Sequence, residues 1–323
     1  MNVLVTGGAG YIGSVTAELL VKSNHNVIVV DNLSEGHKAA VPEQCDLIIA
    51  DIADEQKLSA VFTANKIDAV MHFAANCYVG ESVKDPVKYY RNNVLYSLML
   101  LNKCVRHKVK KFIFSSSCAT YGIPGDIPIS EDEKQLPVNP YGETKLAFEK
   151  ALVWYADAYE IKYSILRYFN AAGATEKLGE DHRPETHLIP LILECAAGKR
   201  KNLGIFGADY DTPDGTCIRD YIHVSDIARA HILAMESNFS DCYNLGNGNG
   251  YSVKEVITAA EAVTGKKIKT VKTGRREGDP PALVGNSKKI SGKLGWKPEY
   301  ASIEKIISSA WNWHRKNPEG YKE

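Results

Sequence analysis

Val3-Leu4-Val5-Thr6-Gly7-Gly8-Ala9-Gly10-Tyr11-Ile12-Gly13 is a short apolar run that breaks into glycines and then, from Ser14 to Lys22, into a helical pattern. Strand, tight turn and helix follow one another without a gap. Within Gly7-x-x-Gly10-x-x-Gly13 the first glycine permits the turn, the second lets backbone approach a pyrophosphate, and the third lets helix pack on strand. The opening amides of the helix then receive phosphates, so the stretch predicts a dinucleotide site. A second strand, Asn26 to Val30, ends in Asp31, where a carboxylate accepts from the adenosine ribose and repels a 2′-phosphate. That favours NAD over NADP.

Outward from this unit, apolar strands are predicted at Leu47 to Ala50, Ala69 to Phe73, Lys111 to Ser115 and Lys162 to Leu166. Helical stretches at Glu55 to Asn65, Pro86 to His107 and Tyr141 to Tyr159 separate most of them. The alternation predicts an α/β fold, a Rossmann-type doubly wound parallel sheet covered on both faces. Residues 1–170 are expected to form this NAD-binding domain, with 215–237 as a further contributor. From Ala171 to Thr186 the chain loosens into Gly, Glu, Asp, His and Pro, as a long functional loop does. Helices near Leu188 to Ala197, Val224 to Ser237, Val253 to Thr264 and Ile303 to Lys316 predict a smaller mixed α/β domain over 171–323. With no repeat and no Pro- or Ser-rich linker between them, the two regions should pack tightly around a cleft.

The 323 residues suffice for a sizeable core, and apolar and charged fractions of 44% and 24% are those of an ordinary soluble globule. Equal numbers of basic and acidic residues, 39 each, set up no field to attract nucleic acid or an anionic membrane. Seven scattered cysteines without a Cys-x-x-Cys unit predict reduced thiols and a cytoplasmic location. No leader-like or membrane-spanning run is evident.

Tyr141 and Lys145, in Asn139-Pro140-Tyr141-Gly142-Glu143-Thr144-Lys145, lie four residues apart and share one face if helical. An ammonium there favours the ionised phenol, which suits base chemistry on an alcohol. Lowering a phenol's pKa by roughly three units takes about 4 kcal/mol of differential stabilisation, which a lysine and a cationic nicotinamide together can supply. Among 17 tyrosines the pair alone carries little weight; its context raises it. Phe112-Ile113-Phe114-Ser115-Ser116-Ser117 is a buried strand running into hydroxyls at its carboxyl end, where ligands collect in such sheets. Ser117 is thus a candidate partner for a reacting sugar oxygen, although serines at strand ends also serve as turn formers.

These motifs together with Arg167-Tyr168-Phe169-Asn170, Arg219-Asp220-Tyr221-Ile222-His223-Val224, Arg276-Glu277-Gly278-Asp279, Ile205-Phe206-Gly207 and Tyr243-Asn244-Leu245-Gly246 occur in the order found in UDP-glucose 4-epimerases, of the extended short-chain dehydrogenase/reductase superfamily. The chain resembles that family over essentially its whole length. The resemblance implies that Tyr141, Lys145 and Ser117 are catalytic and also touch NAD, which Gly7, Gly10, Tyr11, Ile12, Gly13, Asp31, Asn32, Asp51, Ile52, Phe73, Ala74, Ala75, Asn92 and Phe169 line. It implies that Asn170, His187, Phe206, Arg219, Arg276, Asp279 and Leu283 surround the UDP-sugar, the two arginines being suited to a diphosphate by their rigid donor fork. It further implies C4 oxidation by tightly bound NAD to a 4-keto sugar, return of the hydride to the opposite face, and a homodimer through a four-helix interface.

Two departures matter. Cys77 stands where some members carry a lysine near the nicotinamide, and Leu283 where hexose-restricted epimerases carry tyrosine; the lost bulk is expected to admit UDP-N-acetylhexosamines. A nucleotide-sugar 4,6-dehydratase or a UDP-uronate 4-epimerase is the rival within the superfamily, and an NAD-sensing regulatory module the rival outside catalysis. The dehydratase reading lacks its Asp-Glu pair, since Cys118-Ala119 follow Ser117. The nine histidines read as dispersed and His182 and His187 as loop residues, so no metal is expected. Val87, Tyr90, Val94, Leu98 and Leu101 mark one apolar side of the Pro86 to His107 stretch, as core or helix-pair interface.

Overall fold

A computed structural model of the chain describes residues 1–276 and 279–322. β1 (Asn2–Thr6) runs through the glycine turn into α1 (Tyr11–Lys22), and β2 (Asn26–Asp31), β3 (Asp46–Ile49), α2 (Glu55–Ala64) and β4 (Ala69–His72) continue the alternation. Asp54 starts α2 by accepting from the Lys57 amide.

The stretch expected as one helix from Pro86 to His107 is divided. After α3 (Val79–Lys84), α4 (Pro86–Tyr89) makes a single turn behind the Asp85 cap, Tyr90–Tyr96 widens into a π-helical turn, and α5 (Ser97–Arg106) resumes. The wide turn carries Asn93 inward, and its side chain accepts from Asn76 N at 2.9 Å and donates to Asn76 O at 3.0 Å and Thr144 Oγ1 at 3.2 Å. An extra residue in a helix turn is a common device beside a functional site, because it re-aims a side chain that regular geometry would point elsewhere. The apolar side expected there also splits: Leu101 is buried, whereas Val87 is 64% exposed and Tyr90 44%.

β5 (Lys111–Ser117), α6 (Pro140–Tyr159) and β6 (Lys162–Tyr168) follow. Beyond residue 170 the chain passes back and forth. β7 (Asn170–Ala172), α7 (Leu188–Ala196), β8 (Leu203–Phe206) and β9 (Ile218–His223) build a second lobe, but α8 (Val224–Glu236) then lies against α1, and β10 (Asp241–Leu245) pairs with β6. β11 (Gly250–Ser252), α9 (Val253–Thr264), β12 (Thr270–Thr273) and β13 (Ala282–Leu283) return to the second lobe. α10 (Lys288–Leu294) packs on β10, and α11 (Ile303–Lys316) on α9 and α7.

The main sheet has seven parallel strands in the order β10-β6-β5-β4-β1-β2-β3. Sequence order reverses between β1 and β4, which opens a crevice beyond their carboxyl ends, the ligand position of open α/β sheets. Alternation along β1 feeds two cores: Val3 and Val5 pack with Leu20, Ile227 and Met235 on one face, Leu4 with Phe62, Leu101 and Phe148 on the other. Because both faces are covered, the strands read as continuous apolar runs. A third core, including Ile192, Val256, Ile306 and Ile307, belongs to the second lobe. Among the described residues, no helix is long and apolar enough to cross a membrane.

Replacing Asn93 with alanine strips two backbone groups of Asn76 of their partners and empties the inner side of the π turn. Equilibrium urea denaturation is expected to show a loss of about 1–3 kcal/mol; an unchanged midpoint would show that the π turn stands without this side chain.

Candidate active site

The crevice floor is backbone. Gly7 has φ +74°, and a Cβ built on it would fall 2.5 Å from Ala74 N; one on Gly13 would fall 2.1 Å from Gly7 O. The two strand ends and the first turn of α1 are therefore packed more closely than any side chain allows. α1 opens behind Gly10 with no side-chain cap, so its leading amides are left for an anion. Asp31 lies at the end of β2, and its carboxylate oxygens accept from Ala9 N at 3.0 Å and Leu33 N at 2.8 Å. Burial pushes its carboxyl pKa up, against the pull of those two amides. Asp31 thus shapes the glycine turn, and each oxygen keeps lone-pair capacity for a ribose hydroxyl.

The neighbouring expected residues frame the same crevice. Asn32 Nδ2 donates to Asp51 Oδ2 at 2.8 Å, Ile52 is buried beneath, and Phe73 N and Ala74 N both donate to Thr6 O across the strand ends, with Ala75 next in line. Asn92 Nδ2 donates to Asn93 Oδ1 at 3.0 Å. Tyr11 donates to Gly173 O at 2.6 Å, and Ile12 packs on the sheet core. A glycine cradle, uncapped helix amides and a carboxylate at the next strand end fit a dinucleotide.

On the adjoining strand, β5 delivers three hydroxyls. Ser115 bonds to Tyr168, Ser116 donates to Glu149, and Ser117 Oγ accepts from Ala119 N at 3.1 Å. Helix α6 begins where Asn139 Oδ1 accepts from Gly142 N at 2.9 Å and Pro140 takes the first position, which aims Tyr141 at the strand end. Lys145, one turn on, is 3% exposed, donates to Ser115 O at 2.8 Å, and sits 5.8 Å from the Tyr141 ring centre. Tyrosine and lysine do share a helix face beside Ser117.

The electrostatics differ from the simple expectation that Lys145 makes Tyr141 acidic. Burial is the largest influence on both groups: it pushes the Tyr141 phenol well up, with the Ser117 hydroxyl working the other way, and brings the Lys145 ammonium down to about 8. Within the protein's own charges the lysine does not overcome desolvation.

Beneath these groups lies a buried ion pair. Arg167 on β6 donates to Glu149 on α6 at 2.7–3.1 Å through Nε and one terminal nitrogen, and to Tyr121 Oη at 2.9 Å through the other. Burial works against the guanidinium charge, and Glu149 more than offsets it. Tyr121 donates onward to Asn244 on β10 at 2.7 Å, and Gln135 donates to Glu149 at 2.9 Å.

Across the cleft, Arg219 on β9 pairs with Asp279, whose carboxylate also receives the Cys217 thiol, and the Arg276 guanidinium lies 4.0 Å from the centre of the Phe206 ring. Four of the expected sugar-nucleotide residues thus assemble from β8, β9 and the segment around 276–279; Glu277 and Gly278 of that motif lie outside the described residues. Asn170 begins β7 and pairs in register with Tyr221. Leu283 and Phe169 are buried with Cys118, Tyr121 and Ile129 directly behind the Ser117 turn. Cys77 is exposed. His187 is turned toward Glu180 and Glu185, with His182 beside it. That grouping corrects the reading of dispersed histidines.

The sequence profile described as the NAD dependent epimerase/dehydratase family matches residues 3–246. A UDP-glucose 4-epimerase of Halalkalibacterium halodurans is 52% identical over 99% of this chain and 98% of its own. The chain belongs to the NAD-dependent epimerase/dehydratase family. Among solved structures of the family, a crystal structure of a UDP-glucose 4-epimerase matches with a TM-score of 0.97 and 51% identity over the whole of both chains. That of the Bifidobacterium longum UDP-glucose 4-epimerase, in complex with NAD+ and UDP, matches with a TM-score of 0.95 and 40% identity over 99% of this chain and all of that one.

For this family member, sequence reasoning missed Glu149, Tyr121 and Asn93, and quoted Asn244 within a motif without giving it a role. Glu149 carried a hint, since it continues the 141–145 spacing by another four residues onto the same helix face. The buried lysine yields a prediction. Lys145→Met, in protein stripped of cofactor, is expected to be inactive yet more stable at pH 7, by up to about 3 kcal/mol from the displaced pKa. The lysine titrates near 8 when folded and near 10.5 when unfolded, so the wild type gains stability as pH rises between those values and the advantage of the variant shrinks over that window. Denaturation curves at pH 7 and pH 10 check this; an advantage that grows with pH would refute it.

Proposed function

We propose that this protein interconverts UDP-glucose and UDP-galactose by inverting the sugar at C4. The observation that supports the reading is the Tyr141 and Lys145 pair on one face of α6, with Lys145 bonded to the β5 strand end that carries Ser117, together with the Arg219–Asp279 and Arg276–Phe206 pairs of the second lobe. The Ser117 hydroxyl orients the 4-hydroxyl, Tyr141 as phenolate takes its proton, and Lys145 holds the phenol's surroundings cationic. NAD, when bound, supplies a reversible hydride acceptor for C4 and a positive charge beside the phenol. Once the sugar has presented its other face and C4 has regained its hydride, Tyr141 would return its proton to the oxygen, so net redox is zero. Arg219 and Arg276 grip the diphosphate, leaving the hexose itself loosely held.

The Cys118 thiol, where a 4,6-dehydratase needs an acid, is buried and pushed up to about 12, which leaves it unfit for proton transfer in an elimination. Leu283 backs the same turn without a polar group, which supports acceptance of UDP-N-acetylhexosamines alongside the plain hexoses. The exposed apolar side chains Val83, Val87, Tyr90, Leu95 and Trp154, on the α3–α5 and α6 segments, support a homodimer through those helices. Seven free cysteines support a reducing, cytoplasmic setting.

Purified protein given UDP-galactose and no added NAD is expected to form UDP-glucose, with Tyr141→Phe slower by at least roughly a hundredfold, the usual contribution of a general base. A deoxy-keto product would instead identify a dehydratase. Leu283→Tyr is expected to keep UDP-galactose turnover and lose that of UDP-N-acetylglucosamine; equal losses on both would remove the pocket-size explanation.

A further inference from the structure

The loop between β7 and α7 contains the same three-residue unit twice, Glu180-Asp181-His182 and Glu185-Thr186-His187. In extended backbone a Glu-x-His unit puts both side chains on one side, and here all four turn toward a single point. One donor atom from each of Glu180, His182, Glu185 and His187 lies within 4.8 Å of every other. Nδ1 of His182 stands 3.2 Å from Glu180 Oε1 and 3.9 Å from Glu185 Oε2, and Nδ1 of His187 stands 2.8 Å from Glu180 Oε1 and 3.2 Å from Glu185 Oε1. Four ligands about 2.0–2.2 Å from a tetrahedral ion are about 3.4 Å apart, which these distances bracket.

Both Nδ1 atoms are buried, yet neither makes a hydrogen bond of acceptable direction among the described residues. The two carboxylates are nearly buried as well, at 5% and 8% exposure. One divalent ion with two neutral imidazoles and two carboxylates is charge-neutral. Thr186 N and His187 N donate to Glu185 Oε1 at 2.6 and 2.7 Å, which fixes that carboxylate as metal ligands are commonly fixed.

We propose that Glu180, His182, Glu185 and His187 bind one divalent transition-metal ion of the zinc class, which is structural and pins this loop beside the cofactor crevice. Mixed nitrogen and oxygen donors in a tetrahedral set are those of zinc rather than of calcium or magnesium. The His182 ring stands edge-on to Tyr11 and Tyr78, at 6.4 and 6.1 Å between centres, and Tyr11 in turn holds Gly173 at the start of the loop. The intervening Asp181 faces the other way, accepting from Tyr321 N at 2.9 Å and pairing with His37. The ion thus completes a clamp between α1, the loop and the carboxyl-terminal segment, and it takes His187 away from direct contact with the sugar.

The test uses full-length untagged protein, dialysed against zinc and then against metal-free buffer, with metal measured by plasma mass spectrometry. One zinc per chain is expected, a fall of several degrees in Tm on chelation, recovery on adding zinc, and an intense tetrahedral visible spectrum after cobalt exchange. Glu180→Gln and His187→Asn are each expected to bind zinc at least roughly tenfold more weakly and to lose the chelator sensitivity of Tm. If one variant fails to fold, the other and the wild-type cobalt spectrum still decide. Zinc at background level after dialysis, or a cobalt spectrum that both variants leave unchanged, would overturn the assignment.

Discussion

Arg167 and Glu149, a guanidinium and a carboxylate almost wholly removed from water, set the geometry of the crevice wall that carries Tyr141 and Lys145. Such a pair adds little net stability over a well-packed apolar one, but losing either member costs about 3–5 kcal/mol because the other is left buried and unpaired. What it gives is register. Glu149 is the third member of a stripe, Tyr141, Lys145, Glu149, that runs along one face of α6 at four-residue intervals. Anchoring the last member to β6 and Ser116 fixes the rotation of the helix about its axis, and with it the direction of the first two. Tyr121 and Asn244 extend the anchor to β10, so the strand at the sheet edge and the Glu149 end of the α6 stripe belong to one hydrogen-bonded unit.

Along that stripe, order of function is the reverse of order of comfort. Glu149 is satisfied on every side, Lys145 keeps one backbone acceptor and is brought toward neutrality by burial, and Tyr141 is held far from ionisation by its own protein. A phenol and an ammonium placed where their charged forms are costly lower the stability of the fold that holds them, as polar groups buried beside a crevice commonly do.

The glycine cradle, Asp31 and the Tyr-Lys pair were legible because each is specified by residues within a few positions of one another, where backbone geometry follows from local sterics. The α/β alternation was legible for the same reason. The return of β10 to the sheet was not, since which strand pairs with β6 is decided by tertiary packing and leaves no local mark in Asp241–Leu245. The π turn at Tyr90–Tyr96 was hidden because an apolar pattern at helical spacing does not register one inserted residue, and the Asn93 contacts that stabilise it come from Asn76, 17 positions earlier. The Glu-x-His units sat in plain view, but only the folding of the loop brings the second unit onto the first.

Because the strand at one edge of the main sheet lies past β9 in the sequence, an amino-terminal stretch ending near residue 170 leaves β6 without its outer neighbour and α1 without α8. During synthesis the ribosome must have released about seventy-five further residues, roughly four to fifteen seconds of translation, before that edge can be covered. A nascent chain of this kind has a waiting period in which an unpaired β margin faces solvent.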